Sequence, residues 1–337
     1  MPLPATNYSP PFNITRASHI VLTVQDLNAS KDFYVNVAGL IVSEEDPNNV
    51  YLRGVEEACH HSLVLRKSDG RQSGCEWIGL RVFTEEVLDK AKFYFDSIGV
   101  ASDWSDVSWQ GRTLHFVDPL GVRVELCATM PIMPRMHTEV AQHRGAAALR
   151  LDHFQLHVDD VQRACDFYMP LGFRASDYWA NSEEADVIGV FLQRKGNPHD
   201  IVFLKNQGPR VHHFAFAVPD QGNILRACDV AGNLGFGRNI ERGPGRHGMG
   251  HVMFVYIRDP DGHRLELHDM PYQMIDIENL PTRWDVGSDP FIQIPWGLPG
   301  QAKWHSEATE FANTSLRKPN SSGTPFTLES YLAVKLG

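Results

Sequence analysis

The chain has 337 residues, a formal net charge of −10, and hydrophobic and charged fractions of 42% and 21%. That is room for two ordinary domains with a core in each, and the composition is that of a folded chain, not a disordered one. The acidic balance excludes nucleic acid and anionic membrane as principal partners. No apolar run approaches the ~20 residues that cross a bilayer. Five scattered cysteines (Cys59, Cys75, Cys127, Cys165, Cys228) contain no CxxC pair, so neither a disulfide framework nor a thiolate metal site is indicated, and a reducing cytoplasm fits. The start, MPLPATNYSPPFN, has no basic stretch and no apolar core, so no signal peptide is expected.

Residues 1–15 read as an N-terminal extension. The first predicted strand, in His19-Ile-Val-Leu-Thr-Val-Gln-Asp26, runs through an Asp turn into a helix carrying Asp32-Phe33-Tyr34, which stops at Gly39-Leu40. Short strands follow, then a helix from Glu85 to Ser97, then a hairpin around Val117-Asp-Pro-Leu-Gly-Val-Arg-Val-Glu125-Leu. After a polar linker, His137 to Ala147, the same grammar returns. His153-Phe-Gln-Leu-His-Val-Asp-Asp160, Asp166-Phe167-Tyr168 and Leu171-Gly172 repeat the opening at an offset of 134 residues from His19 to His153. A helix near Asn223 to Ala231 comes next. Arg258-Asp-Pro-Asp-Gly-His-Arg-Leu-Glu266-Leu then repeats the closing hairpin, 141 residues on from Glu125 to Glu266. Matches at both ends in the same order define two homologous modules, 16–135 and 148–272. A tail, 273–337, carries Trp284, Trp296 and Trp304, which are expected to pack back on the second module, while the last residues are expected to be mobile. Short, hairpin-connected strands interleaved with helices make the fold class α+β.

Three side chains of the second module carry the chemistry, one on each of three predicted strands: His153, His213 in Val211-His-His-Phe-Ala-Phe-Ala-Val218, and Glu266. Alternation places His153 with Gln155 and His157, and His213 with Ala215 and Ala217, on faces with room for a cavity; Phe154, Phe214 and Phe216 turn the other way into packing. Two neutral imidazoles and one carboxylate form the facial set that leaves three positions open on Fe(II). A lone strand histidine is ordinarily an interior hydrogen-bonded residue. The repeat changes the weighting: the first module keeps His19 and Glu125 but has Trp77 where His213 falls, so it is expected to hold no iron and to serve as structure.

Leu151-Asp-His153-Phe, Gly208-Pro-Arg-Val-His-His213, Glu241-Arg-Gly-Pro-Gly-Arg-His247 and the stretch from Tyr256 to Glu266 stand in one family's pattern. The chain resembles the type I extradiol ring-cleaving dioxygenases of the vicinal oxygen chelate superfamily, and among them the homoprotocatechuate group. The resemblance spans roughly residues 15 to 305. It implies tandem βαβββ modules, an active site in the second module, Fe(II) or Mn(II), catechol and O₂ as substrates, and a cytoplasmic homotetramer or dimer. It also implies roles: His153, His213 and Glu266 as metal ligands, with His213 preferred over His212; His199 as the acid/base that assists O₂ activation; His247 and Tyr256 as hydrogen-bonders to the substrate oxygens; Arg242 beside the pocket. Three departures bear on substrate. Gln155 replaces a pocket Asn, Phe191 a pocket Trp, and Phe291 a tail Arg that would meet a substrate carboxylate. Losing that cation removes the partner of an anionic side chain, so a neutral catechol, plain or alkyl- or aryl-substituted, is expected. The alternatives are 3,4-dihydroxyphenylacetate cleavage, a glyoxalase-like metal-dependent isomerase or lyase, and a metal-free drug-binding module.

Overall fold

The computed structural model describes residues 3–181, 187–285, 290–320 and 325–336, with the side chains of 290, 291 and 336 left undescribed. Two sheets carry the architecture. Among the described residues, eight strands form the first, and the second has nine in one path with a tenth paired beside it. Each sheet is built from two βαβββ units. In the second these are Arg150–Val158, helix Val161–Tyr168, Arg174–Ala180, Val187–Gln193 and Ile201–Lys205, then Arg210–Ala217, helix Gln221–Asn233, Ile240–Arg246, Met253–Arg258 and Arg264–His268. The opening strands of the two units, Arg150–Val158 and Arg210–Ala217, pair antiparallel at the centre. Each is flanked by a parallel strand, Ile201–Lys205 and Arg264–His268.

The repeated motifs are the punctuation of this topology. Asp26 and Asp160 cap the first helix of their modules, accepting backbone N–H bonds from Asn28 and Ala29 and from Arg163. Asp118 and Asp259 fold the closing hairpins by accepting from Leu120 and Val122 and from Asp261 and His263. Gly121 and Gly262 sit at φ 89° and 88° in those turns, where a side chain would be strained. One hydrophobic core runs through both modules, from Ile20, Leu22 and Phe95 to Phe154, Phe214 and Phe216. Each such side chain is worth roughly 1.5–3 kcal/mol on burial. Strand alternation sends these side chains inward, which frees the opposite, concave face of the second sheet for polar residues.

The tail is more structured than its composition suggests. Thr282–Asp285 adds a parallel strand beside Arg174–Ala180 at one edge of the second sheet, and Trp296 bridges to Arg246 at the other. Trp304, on the short helix Ala302–Ser306, is buried against Phe254 and Tyr256. The end of the chain, expected to be mobile, carries a nine-residue helix, Leu328–Leu336. Among the described residues no helix is long and apolar enough to cross a membrane.

Candidate active site

A single row of paired residues crosses five strands of the second sheet: Arg242 opposite Tyr256, Tyr256 opposite Glu266, Glu266 opposite Ala215, Ala215 opposite His153. Paired residues share a face, so these side chains rise together from the concave side. Ala215 matters because its methyl group leaves space between its two neighbours. Into that space reaches His213, two residues back along the same strand. His213 Nε2 lies 3.0 Å from Glu266 Oε2, His153 Nε2 lies 3.3 Å from the same oxygen, and the two nitrogens are 3.3 Å apart. All three side chains are buried.

That spacing fits a metal ion. Two donors held at about 2.1 Å and roughly at right angles on one ion stand about 3.0 Å apart. Borderline nitrogen and oxygen donors of this kind suit iron or manganese, and three on one face leave the others open. Burial by itself would raise the Glu266 carboxyl; attraction to His213 and hydrogen bonds with His153, His213 and His247 outweigh it and hold the group well below the usual carboxylate range. Burial lowers His213 to about 4 despite the pull of Glu266, which keeps the imidazole neutral and able to donate a lone pair.

The remaining expected residues, Phe291 aside, lie around this point. His247 Nε2 is 3.0 Å from the Tyr256 hydroxyl and 3.3 Å from Glu266 Oε1. Burial lowers His247 and raises Tyr256, so both are neutral hydrogen-bonding groups. His199 meets the His153 ring edge-on at 4.2 Å between centroids and is pushed well below its ordinary value, again by burial. Phe191 lies beyond it, 5.3 Å from the His199 ring. Arg242 is buried with its guanidinium 4.2 Å over Trp304 and 5.0 Å over Phe254. Gln155 is committed to His212, its Nε2 3.1 Å from His212 Nδ1. Phe291 falls on the helix Pro290–Gln293, and its side chain lies outside the described residues.

Sequence reasoning missed several contributors. Asp152 places Oδ2 3.0 Å from His153 Nδ1, and Asn197 Nδ2 donates to its other oxygen at 2.7 Å. Asp177, opposite Phe191 on the concave face, accepts from Trp284 Nε1 at 2.8 Å and from the Tyr272 hydroxyl at 3.1 Å, so the tail lines this wall. The spacing of Asp177 from Trp179 could have signalled a shared face; the tail partners had no sequence signal.

The first module shows what the same framework does without the third donor. Gly79 takes the place of Ala215, paired with both His19 and Glu125, and a Cβ there would collide with the His19 ring. His19 and Glu125 contact each other directly, Gln110 donates to the same carboxylate oxygen, and His115 takes the other. Trp77 stacks on His115 at 4.1 Å beneath Arg123.

Residues 16–126 and 150–267 both match the Glyoxalase/Bleomycin resistance protein/Dioxygenase superfamily. The chain belongs to that superfamily. Relatives it matches include metapyrocatechases and dioxygenases. A metapyrocatechase from Pseudomonas sp. (strain CF600) is 26% identical over 80% of this chain and 91% of its own length. A manganese-dependent 2,3-dihydroxybiphenyl 1,2-dioxygenase from Geobacillus genomosp. 3 is 27% identical over 80% and 90%. Homoprotocatechuate 2,3-dioxygenase from Brevibacterium fuscum superposes with a TM-score of 0.88 at 34% identity, over 94% of this chain and 90% of that one. The Arthrobacter globiformis enzyme of the same name gives 0.85 and 35%, over 90% and 94%. The superfamily's paired-module fold, expected from the internal repeat, is the fold of this chain.

Proposed function

We propose that this chain is an extradiol catechol dioxygenase, opening the ring of a neutral catechol next to its hydroxyl pair with both atoms of O₂, at Fe(II) held by His153, His213 and Glu266. The observation that carries this reading is the buried triangle of two imidazole nitrogens and one carboxylate oxygen with sides of 3.0–3.3 Å. An ion bound there supplies Lewis acidity toward the catechol oxygens and open positions for catechol and O₂ together.

The protein's own groups do the rest. Tyr256 and His247 hydrogen-bond the two substrate oxygens, and their 3.0 Å separation lets a catechol proton pass between hydroxyl and imidazole. Arg242, paired with no carboxylate among the described residues and held over aromatic faces, favours the anionic form of the ring. His199, neutral and against His153, gives and takes the proton on the O₂ side. Phe191 provides apolar wall beside His199, and the sequence has Phe291 where a cation would be needed for an anionic side chain. The product is a hydroxymuconic-semialdehyde-type acid. The first module serves as structure, and the enzyme works as a cytoplasmic homo-oligomer.

Steady-state kcat/KM for catechol, 3- and 4-alkylcatechols and 3,4-dihydroxyphenylacetate tests the substrate class. Neutral catechols rank above the acid if the reading holds; the acid ranking first would replace it with homoprotocatechuate cleavage. Turnover of a thiol hemiacetal without O₂ would move the chain to the glyoxalase-like isomerases.

A further inference from the structure

The register of the two central strands slips twice beside the site. Between the pairs Leu151–Phe216 and His153–Ala215 the extra residue is Asp152; between Leu156–Val211 and Gln155–His213 it is His212. A bulge of this kind re-aims a side chain that regular alternation would send to the opposite face. In both cases the extra residue immediately precedes a candidate donor histidine and takes its distal ring nitrogen. Asp152 Oδ2 is 3.0 Å from His153 Nδ1, and His212 Nδ1 is 2.8 Å from His213 Nδ1.

The geometry points to Asp152 and His212 as paired positioning residues that fix which nitrogen of each donor histidine is left bare for the metal. This rests on the metal-centred reading above. A carboxylate only accepts, so the proton between Asp152 and His153 belongs to His153 Nδ1, and Nε2 keeps its lone pair. The second arm reaches the same result through one more link. His212 Nε2 lies 2.8 Å from the Trp304 carbonyl, which also only accepts, so His212 carries its proton on Nε2. Its Nδ1 is then an acceptor with one lone pair, toward which His213 at 2.8 Å is the nearer donor and Gln155 Nε2 at 3.1 Å the farther. Arg264 Nη1 donates to the His212 backbone carbonyl at 3.0 Å, which disfavours a second positive charge on the ring. With an ion standing between its Nε2 and Glu266, His213 donates from Nδ1 to His212 Nδ1, 2.8 Å away. Through Trp304 the C-terminal tail takes part in building the site.

The first module is an internal control. Its strands slip at the matching places, with Ser18 and Glu76 as the extra residues. Ser18 Oγ turns to Cys127 Sγ and Glu76 pairs with Arg66, and among the described residues neither bonds the His19 ring. The bulges are retained there, and their extra residues no longer serve a histidine ring.

The test is Co(II) binding by the full-length chain, read from its visible absorption. Asp152→Ala and His212→Leu each weaken Co(II) about 10- to 100-fold and alter the spectrum. His212→Gln, whose amide keeps one donor and one acceptor, recovers most of the affinity. Wild-type affinity and spectrum in both Asp152→Ala and His212→Leu, with Glu266→Ala abolishing binding, overturn this inference alone. Undiminished binding in Glu266→Ala overturns the site reading and the inference with it.

Discussion

The Tyr34 hydroxyl of the first module donates to Asp259 of the second at 2.9 Å, and Tyr168 of the second donates to Asp118 of the first at 2.8 Å. Each tyrosine ends an Asp-Phe-Tyr motif and each aspartate opens an Asp-Pro-x-Gly turn, so the repeated motifs clasp each other across the module boundary. All four side chains are buried. Tyr34→Phe and Tyr168→Phe each leave a buried carboxylate short of a donor, at a cost of about 1–3 kcal/mol. Thermal melting of each variant checks this; an unchanged melting temperature in both would show that the clasp contributes nothing.

The clasp also carries a pH dependence. Burial, the leading influence, raises Asp118 from its ordinary 3.8 to about 7 against the hydrogen bonds from Tyr168, Val122, Leu120 and Gly121. Burial raises Asp259 in the same direction. Between 3.8 and about 7 the folded chain keeps a proton on Asp118 that the unfolded chain has released, so this contribution to stability is fullest below that window and is lost as pH rises through it. Asp118→Asn therefore flattens the fall in melting temperature between pH 5 and 7.5. Parallel curves for wild type and variant would refute the assignment.

Much of this was legible in the chain. The repeat at an offset of 134 residues announced two modules, and the alternation around Phe154, Phe214 and Glu266 told which side chains face the core and which the concave side. The adjacency of Asp152 to His153 and of His212 to His213 was not legible, because strict alternation sends neighbours to opposite faces and a one-residue slip leaves no mark in composition. The contacts of Trp284 and Trp304 depend on a tail that folds back across more than 90 residues to Asp177 and His212, a distance over which local pattern carries no information.

Ala215 stands between the two outer donors in the row, and its replacement tests that geometry. Ala215→Val adds two methyl groups where the structure has none to spare, which forces shifts typically worth 1–3 kcal/mol. The expected outcome is a folded protein with metal content and turnover reduced together, measured by elemental analysis and O₂ uptake. Full occupancy with normal turnover would show that the donors are not confined by this strand.

Each donor is expected to be indispensable. His153→Ala, His213→Ala and Glu266→Gln lose bound iron and fall at least ~10²-fold in kcat, with melting curves within a few degrees of wild type in metal-free buffer, since each change also relieves a cluster of buried polar groups. His19→Ala in the first module leaves iron content unchanged.

The most direct measurement is O₂ consumption by the anaerobically purified, Fe(II)-loaded chain on addition of catechol, followed with an oxygen electrode and by absorbance. The account predicts one O₂ consumed per ring opened, a yellow ring-cleaved product, and loss of both signals in Glu266→Gln. Iron bound at this site with no O₂ uptake on any catechol would contradict it.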